Sequence, residues 1–241
     1  MRNRLILFCA GWSMALTGFS QALNFTAIQA TVDFSHTLQE WDGFGFNYVE
    51  TAHTFDLKNF KQEYGGFSLL DEQEKQEIIQ MVFGEEGLKV GVLKMFLGSN
   101  HQKEAGGPFD HLSTTGNMRY FVREGLKLTR SQGRDLEIIT TLYGPPGYTT
   151  QQKVNRGRDL DPAHQDALAE YMVDWVKFLK EEEKFPVKYL SLHNEGEDWR
   201  RWNQDGYTDR MSHDYNLYWP PEQVVDFLKP VSYTHLRAHE T

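Results

Sequence analysis

The chain has 241 residues, 39% of them hydrophobic and 24% charged, so it is long enough to bury the core of one globular domain. It carries 34 acidic and 25 basic side chains, and the formal net charge of -9 argues against a protein that binds nucleic-acid phosphates. Aromatic residues make up 14% of the chain while the mean hydropathy is -0.59. Many rings must therefore line surfaces or clefts.

Residues 1–22 have the pattern of a secretory signal peptide. Two arginines precede an apolar stretch over residues 5–19, and a small-x-small cleavage site follows at 20–22. The alternative is a membrane anchor, but glycines and polar residues interrupt the run of roughly 20 apolar residues that a span requires. We expect a secreted or periplasmic protein that has no membrane contact after cleavage. The only cysteine, Cys9, leaves with the signal peptide, so no disulfide is expected.

Residues 231–241 do not continue the pattern that precedes them. A helical pattern opens at Pro220 and stops at Pro230, and the following VSYTHLRAHET closely resembles the translation of a sequencing-library transposase adapter. We expect this segment to be an artefact, with an ordinary C-terminal tail as the alternative.

Apolar, β-branched runs alternate with helical patterns along the chain, which predicts βα units and an α/β fold with a parallel sheet. Asp161 is expected to cap a helix whose first residue is Pro162. The predicted strands cover 44–49, 90–97, 136–143 and 187–192, and the predicted helices cover 68–83, 117–131, a segment from 162 and a segment from 220.

Residues 23–40 precede the first βα unit. From Thr26 to Leu38 apolar and polar residues alternate loosely, as they do from Thr31 to Ser35. This alternation predicts a strand belonging to a separate small β element.

Polar residues follow directly where the fourth apolar run stops, at His193, Asn194 and Glu195. In a parallel α/β barrel the carboxyl ends of the strands carry the active site. The plain alternative is a polar strand end that meets solvent.

Five short stretches carry a resemblance to a known family: 41–45 (WDGFG), 98–100 (GSN), 143–148 (YGPPGY), 194–195 (NE) and 219–223 (WPPEQ). In this order and context they resemble the retaining β-glycosidases of glycoside hydrolase family 30. The resemblance implies a (β/α)8 TIM barrel, of which residues 41–230 would form the N-terminal half with about four βα units.

The resemblance also implies roles for individual residues. Glu195 would be the general acid/base, and Asn194 would hydrogen-bond the 2-hydroxyl of the sugar being cleaved. Tyr143 and Tyr148 would line the sugar site, because an aromatic face suits the apolar face of a pyranose. Lys94 stands where the family usually has arginine and would supply a positive charge without a bidentate fork. No cofactor is implied, and the partner is a carbohydrate substrate.

Aromatic side chains crowd the segment that follows Glu195. Trp199, Trp202 and Trp219 are candidates for substrate binding, with a packed mini-domain as the alternative. Gly196 stands where proline commonly follows the acid/base in the family and leaves the backbone more permissive.

The second carboxylate of the family lies on a seventh strand and has no counterpart in the predicted elements. Retention needs two carboxyl groups roughly 5 to 5.5 Å apart, one of which is the nucleophile. We therefore expect the chain alone to form no glycosyl-enzyme. We also expect it to self-associate, because half a barrel leaves strand edges unpaired.

Other readings of the chain remain open. A carbohydrate-binding protein that has lost hydrolysis is the alternative function, suggested by Lys94 and by the altered residue after Glu195. A third reading is a fragment with no function of its own. No metal site is expected, because the histidines lack a short-spaced ligand motif.

Overall fold

The computed structural model describes residues 29–31, 33–36, 38, 43–49, 58–59, 61, 63, 66–194 and 217–230. The chain divides into two compact units, Met1–Glu40 and Trp41–Thr241. The predictions for residues 1–22 and 231–241 lie outside the described residues. Within the described ranges, none of the helices combines the length and the apolar character needed to cross a bilayer.

The second unit is built on a sheet of four parallel strands that lie side by side in chain order. A helix follows each strand, which confirms the predicted α/β fold with a parallel sheet. The strands are β1 (Gly45–Asn47), β2 (Val92–Leu97), β3 (Glu137–Leu142) and β4 (Val187–Ser191), and the helices are α1 (Glu72–Phe83), α2 (Gly116–Ser131), α3 (Gln165–Glu181) and α4 (Pro221–Pro230).

Acidic side chains fix where the first two helices begin. Asp71 and Glu74 form a capping box, in which each carboxylate accepts a hydrogen bond from the backbone N–H of the other residue, at 2.9 and 3.0 Å. The start of α2 is capped from a distance, because the Glu63 carboxylate accepts from the N–H groups of Asn117 and Met118 at 2.8 and 2.6 Å. Free N–H groups at a helix start favour such negative partners.

Two predicted helix starts differ from the observed ones. The helix predicted from residue 68 begins at Glu72, because Asp71 caps it and a separate 3-10 turn occupies Phe67–Leu69. Asp161 is a cap as predicted and accepts from the N–H of Ala163 at 3.1 Å. It caps the 3-10 turn Pro162–His164, however, and α3 starts only at Gln165.

The strand predicted over residues 26–38 is wrong at residues 33–36, which the structure describes as a turn. Phe34 and Ser35 lie in a turn, and the carboxylate of Asp33 accepts from the backbone N–H and the hydroxyl of Ser35 at 2.9 and 2.6 Å. An aspartate that bonds to the backbone two residues ahead favours a turn over an extended strand.

The sheet has one face toward the helices and one face that collects polar side chains. Thr140 in β3 marks the helix-facing side, since its hydroxyl accepts a hydrogen bond from Trp175 Nε1 in α3 at 2.8 Å. Successive strand residues point to opposite faces. Three polar residues therefore lie on the other face: Thr141, its register partner Ser191, and Lys94. Lys94 pairs with Ile139, which is two residues before Thr141 in β3.

A close approach between α1 and α2 makes Gly125 sensitive to substitution. A methyl group at Gly125 would lie 2.6 Å from Phe83 Cε2, and the Phe83 ring is fully buried. We expect Gly125→Ala to destabilise the fold, since overpacking costs about 1–3 kcal/mol and the gain in helix propensity offsets at most about 1 kcal/mol.

Gly116 in the same helix supplies the matched control for that substitution. A methyl group there would lie no closer than 3.9 Å to its nearest neighbour, Glu63 Oε2. Gly116→Ala should therefore leave the urea midpoint unchanged or raise it. Equal midpoints for Gly116→Ala and Gly125→Ala would contradict the steric argument.

Candidate active site

Lys94 joins two of the predicted site residues. Its Nζ donates a hydrogen bond to Asn194 Oδ1 at 2.8 Å, which links the middle of β2 to the segment just past β4. The same ammonium lies 5.2 Å from the centre of the Tyr143 ring, within the range of a cation–π contact. Lys94, Tyr143 and Asn194 thus form one cluster at the carboxyl side of the sheet.

Tyr143 is buried and held on several sides. Its ring stacks on Phe96 with a centroid distance of 5.6 Å, and its backbone carbonyl accepts from Arg156 Nη2 at 3.1 Å. Its hydroxyl donates to Asn47 Oδ1 at 3.3 Å. A ring held in this way presents a fixed face to the Lys94 ammonium.

Asn47 is a member of the cluster that sequence reasoning missed. It is the last residue of β1 and the register partner of Lys94 in the parallel pairing of β1 with β2. The available signal was a polar amide inside the apolar run 44–49, at the place where a strand ends. Asn194, which the sequence does predict as a site residue, is likewise an amide at the carboxyl end of a strand, just past β4.

The contact with Lys94 decides which way the Asn194 amide points. A lysine ammonium only donates hydrogen bonds, so the amide oxygen must face it and the amide nitrogen must face away. Asn194 is half-buried, and its NH2 group is left to donate. A ligand group that bonds to this nitrogen must therefore be an acceptor, such as a hydroxyl oxygen.

Tyr148 lies in the 3-10 turn Gly147–Thr149 beyond β3, and its hydroxyl donates to Gln102 Oε1. Burial, helped by the negative charge of Glu170, raises the pKa of Tyr148 well above its usual range. The phenol therefore stays protonated. Among the described residues, the Tyr148 hydroxyl thus bonds to Gln102 and not to a member of the Lys94 cluster.

Trp219 is 3% exposed and packs at the start of α4. Its ring lies 4.7 Å from that of Phe227 and 5.7 Å from that of His193, measured between centroids. Its indole N–H has no hydrogen-bond partner among the described residues. This position fits the packing alternative for Trp219, and its contact with substrate stays a prediction.

Glu195, Trp199 and Trp202 lie outside the described residues, so their roles also stay predictions. Asn194, which directly precedes Glu195 in the sequence, lies three residues past the end of β4. In the part of the chain that the structure describes, no three His, Cys, Asp or Glu side chains are grouped as metal ligands would be.

Comparisons with known proteins support the fold. A scan against protein-family models and a search of curated proteins both return no match. Among solved structures, SrfJ from Salmonella typhimurium has a TM-score of 0.55 at 14% identity, covering 86% of this chain and 42% of that one. The catalytic domain of GH30 xylanase C from Talaromyces cellulolyticus has a TM-score of 0.55 at 12% identity, covering 86% of this chain and 46% of that one.

A conserved exported protein from Bacteroides fragilis is similar at a TM-score of 0.54 and 15% identity, covering 83% of this chain and 42% of that one. The chain therefore spans less than half the length of these three proteins. Its fold is like that of a family 30 glycoside hydrolase catalytic domain.

Proposed function

We propose that the chain forms the first part of the (β/α)8 catalytic domain of a retaining β-glycoside hydrolase. The observation that carries this proposal is the contact between Lys94 and Asn194, which brings a cation and an oriented amide together directly before Glu195. The likeness in fold to a family 30 catalytic domain supports it. In parallel α/β barrels, active sites lie at this edge of the sheet.

In the proposed reaction, Glu195 donates a proton to the glycosidic oxygen as the bond to the anomeric carbon breaks. A carboxylate nucleophile attacks that carbon and forms a glycosyl-enzyme, and Glu195 then removes a proton from the water that hydrolyses it. Asn194 Nδ2 donates to the 2-hydroxyl oxygen, a bond that strengthens in the transition state. The nucleophile would come from beyond the four strands of the described sheet, as the family resemblance implies.

The substrate in this proposal is a β-linked glucan, xylan, galactan or related glycoside. The N–H donors of Lys94 and Asn194 can bind the hydroxyl oxygens of such a sugar, and the buried Tyr143 ring holds the Lys94 ammonium in place. We further propose that the protein is exported, which rests on the signal-peptide pattern of residues 1–22 and agrees with one fold neighbour being described as an exported protein.

The test is to read the source DNA downstream of the codon for Pro230 and to express any longer protein it encodes. We expect four more βα units, a glutamate at the end of a seventh strand, and hydrolysis of a β-glycoside whose first-formed product keeps the β configuration by NMR. A folded protein that releases the inverted sugar would contradict the proposal. Glycan binding without hydrolysis would instead support the carbohydrate-binding alternative.

Lys94→Met in that longer protein should lower kcat/KM by roughly 10- to 100-fold. The substitution removes a charged hydrogen bond, worth about 1.5–3 kcal/mol, and releases the Asn194 amide to rotate. Lys188→Met is the control, because Lys188 pairs with Glu137 at the opposite end of the sheet and is half-exposed. Equal losses in the two variants would show that Lys94 has no special role.

A further inference from the structure

Two buried histidines hold the segment 98–115, which joins β2 to α2. His101 is completely buried and His111 is 6% exposed, and their Nδ1 atoms are 2.8 Å apart. His111 Nε2 lies 2.9 Å from Asp174 Oδ1 in α3. The segment is thus tied to α3 through a direct contact between two titratable rings.

The contacts determine where the protons lie when both rings are neutral. The Asp174 carboxylate only accepts, so His111 carries its proton on Nε2 and offers a lone pair at Nδ1. His101 must then carry its proton on Nδ1 and donate across the 2.8 Å contact. The Thr114 hydroxyl lies 3.1 Å from His101 Nδ1 and 3.2 Å from His101 Nε2, and Nε2 is the nitrogen left to accept from it.

The same geometry limits the charge that the pair can hold. A first added proton leaves the contact between the two Nδ1 atoms intact whichever ring takes it, because the charged ring donates from Nδ1 and the neutral ring accepts there. His101 Nε2 then carries a proton in either case, and the Thr114 hydroxyl can turn to the carbonyl of His111 at 3.2 Å. A second proton would set two N–H groups against each other. The contact must then break, since neither nitrogen retains a lone pair.

Charged and titratable groups face the pair from each neighbouring element. Asp174 on α3 and Asp110 in the segment itself favour a positive His111, whereas Arg119 on α2 opposes charge on both rings. Tyr171 on α3 contributes a phenol that burial keeps protonated, since its pKa is well above the usual range. Tyr171 therefore adds no charge.

We propose that the His101–His111 pair is a pH-sensitive latch, which clamps segment 98–115 to α3 near neutral pH and releases it in acid. The proposal rests on the single-proton contact between the rings, on their burial, and on the tie to Asp174. It concerns this chain alone and needs no bound glycan.

The pKa directions agree with release on the acidic side. Burial lowers the pKa of His111 despite the attraction of Asp174, and burial together with the neighbouring His111 lowers the pKa of His101 well below 6.5. The unfolded chain takes up protons near the ordinary value of about 6.5, whereas the folded chain resists them to lower pH. The latch therefore stabilises the fold fully above that pH and is lost as the pH falls toward the folded-state values.

The latched segment contacts one residue that was predicted to line the sugar site, Tyr148. Tyr171 accepts from the N–H of His101 at 3.1 Å and donates to the carbonyl of Gly98 at 2.6 Å, directly after β2. Gln102, which follows His101 in the sequence, accepts a hydrogen bond from the Tyr148 hydroxyl. Regulation of glycan binding by the latch would follow, and that consequence alone rests on the proposed function.

The test is hydrogen exchange of the full chain, read by mass spectrometry at about pH 7 and at about pH 4.5, with rates corrected for intrinsic pH dependence. We expect peptides from 98–115 to lose protection in acid by up to about tenfold for each unit by which a histidine pKa is lowered. Peptides from β3 should change less. Equal losses in both regions would overturn the latch.

Matched variants separate the latch from general acid sensitivity. His111→Gln keeps a donor toward Asp174 and removes the titrating ring, so the acid-dependent loss of protection in 98–115 should shrink. His164→Gln replaces a histidine outside the segment and should behave like the wild type. A His111→Gln profile identical to the wild type would overturn the proposal.

The wild-type chain offers a direct check that does not depend on any variant folding. Nitrogen-15 NMR of histidine-labelled protein near pH 7 should show one neutral ring protonated on Nδ1 and its partner protonated on Nε2. Both should titrate below the ordinary histidine value of about 6.5. Two rings that are both protonated on Nε2 and that titrate near that value would overturn the latch.

Discussion

Replacing Glu183 with alanine is expected to cost about 3–5 kcal/mol of folding free energy, because it would leave a buried charge without its partner. Arg119 Nη1 lies 2.5 Å from Glu183 Oε1, and both side chains are only 8% exposed. Arg119 also donates to the carbonyls of Leu112 and Thr114, at 2.7 and 3.2 Å. Loss of the carboxylate would therefore disturb α2 and the segment before it together.

Arg123→Ala is the matched control for this substitution. Arg123 Nη2 pairs with the same carboxylate at 2.6 Å but is 50% exposed, and exposed pairs contribute about 0–1 kcal/mol. Urea unfolding should separate the two variants clearly. A similar midpoint for both would show that burial of the Arg119 pair does not set its contribution.

Replacing both buried partners with apolar residues sharpens the argument. Arg119→Met combined with Glu183→Leu should recover much of the stability lost in Glu183→Ala, since no charge then remains unpaired. If the double variant is as unstable as Glu183→Ala, the loss arises from packing or from the carbonyls of Leu112 and Thr114 that lose their donor, and not from an uncompensated charge.

In the longer glycosidase that we propose, Glu195→Gln should lower kcat/KM on a natural glycan by about 10²- to 10⁴-fold. A glutamine occupies nearly the same volume and cannot donate a proton to the leaving oxygen. The result should hold over the whole pH range in which the wild type is active, because the variant has no acid to titrate.

The leaving group of the substrate separates loss of the acid from misfolding. In an aryl glycoside whose phenol is strongly acidic, the phenolate leaves without first taking up a proton. Glu195→Gln should therefore still form the glycosyl-enzyme with such a substrate. Mass spectrometry should show that adduct accumulating, because deglycosylation has also lost its base. Equal loss of reaction with activated and natural substrates would contradict the role of Glu195.

The order and type of the main elements could be read from the sequence because each depends on local patterns. Apolar runs with β-branched residues predicted the four strands, and amphipathic spacing predicted α1 to α4 in the right order. Local chemistry also explains the error in the strand predicted over residues 26–38, where hydrogen bonds to the Asp33 side chain favour a turn. The boundaries moved where caps such as Asp71 lie inside the predicted ranges.

The composition of the candidate site was decided by the tertiary structure. Lys94 and Asn194 are far apart in sequence. Only the side-by-side pairing of the parallel strands brings the Lys94 ammonium to the Asn194 amide and so sets the orientation of that amide. The register of β1 against β2 adds Asn47, and the packing of α3 against segment 98–115 joins His101 to His111. Such contacts depend on register and on packing between elements, which local periodicity does not encode.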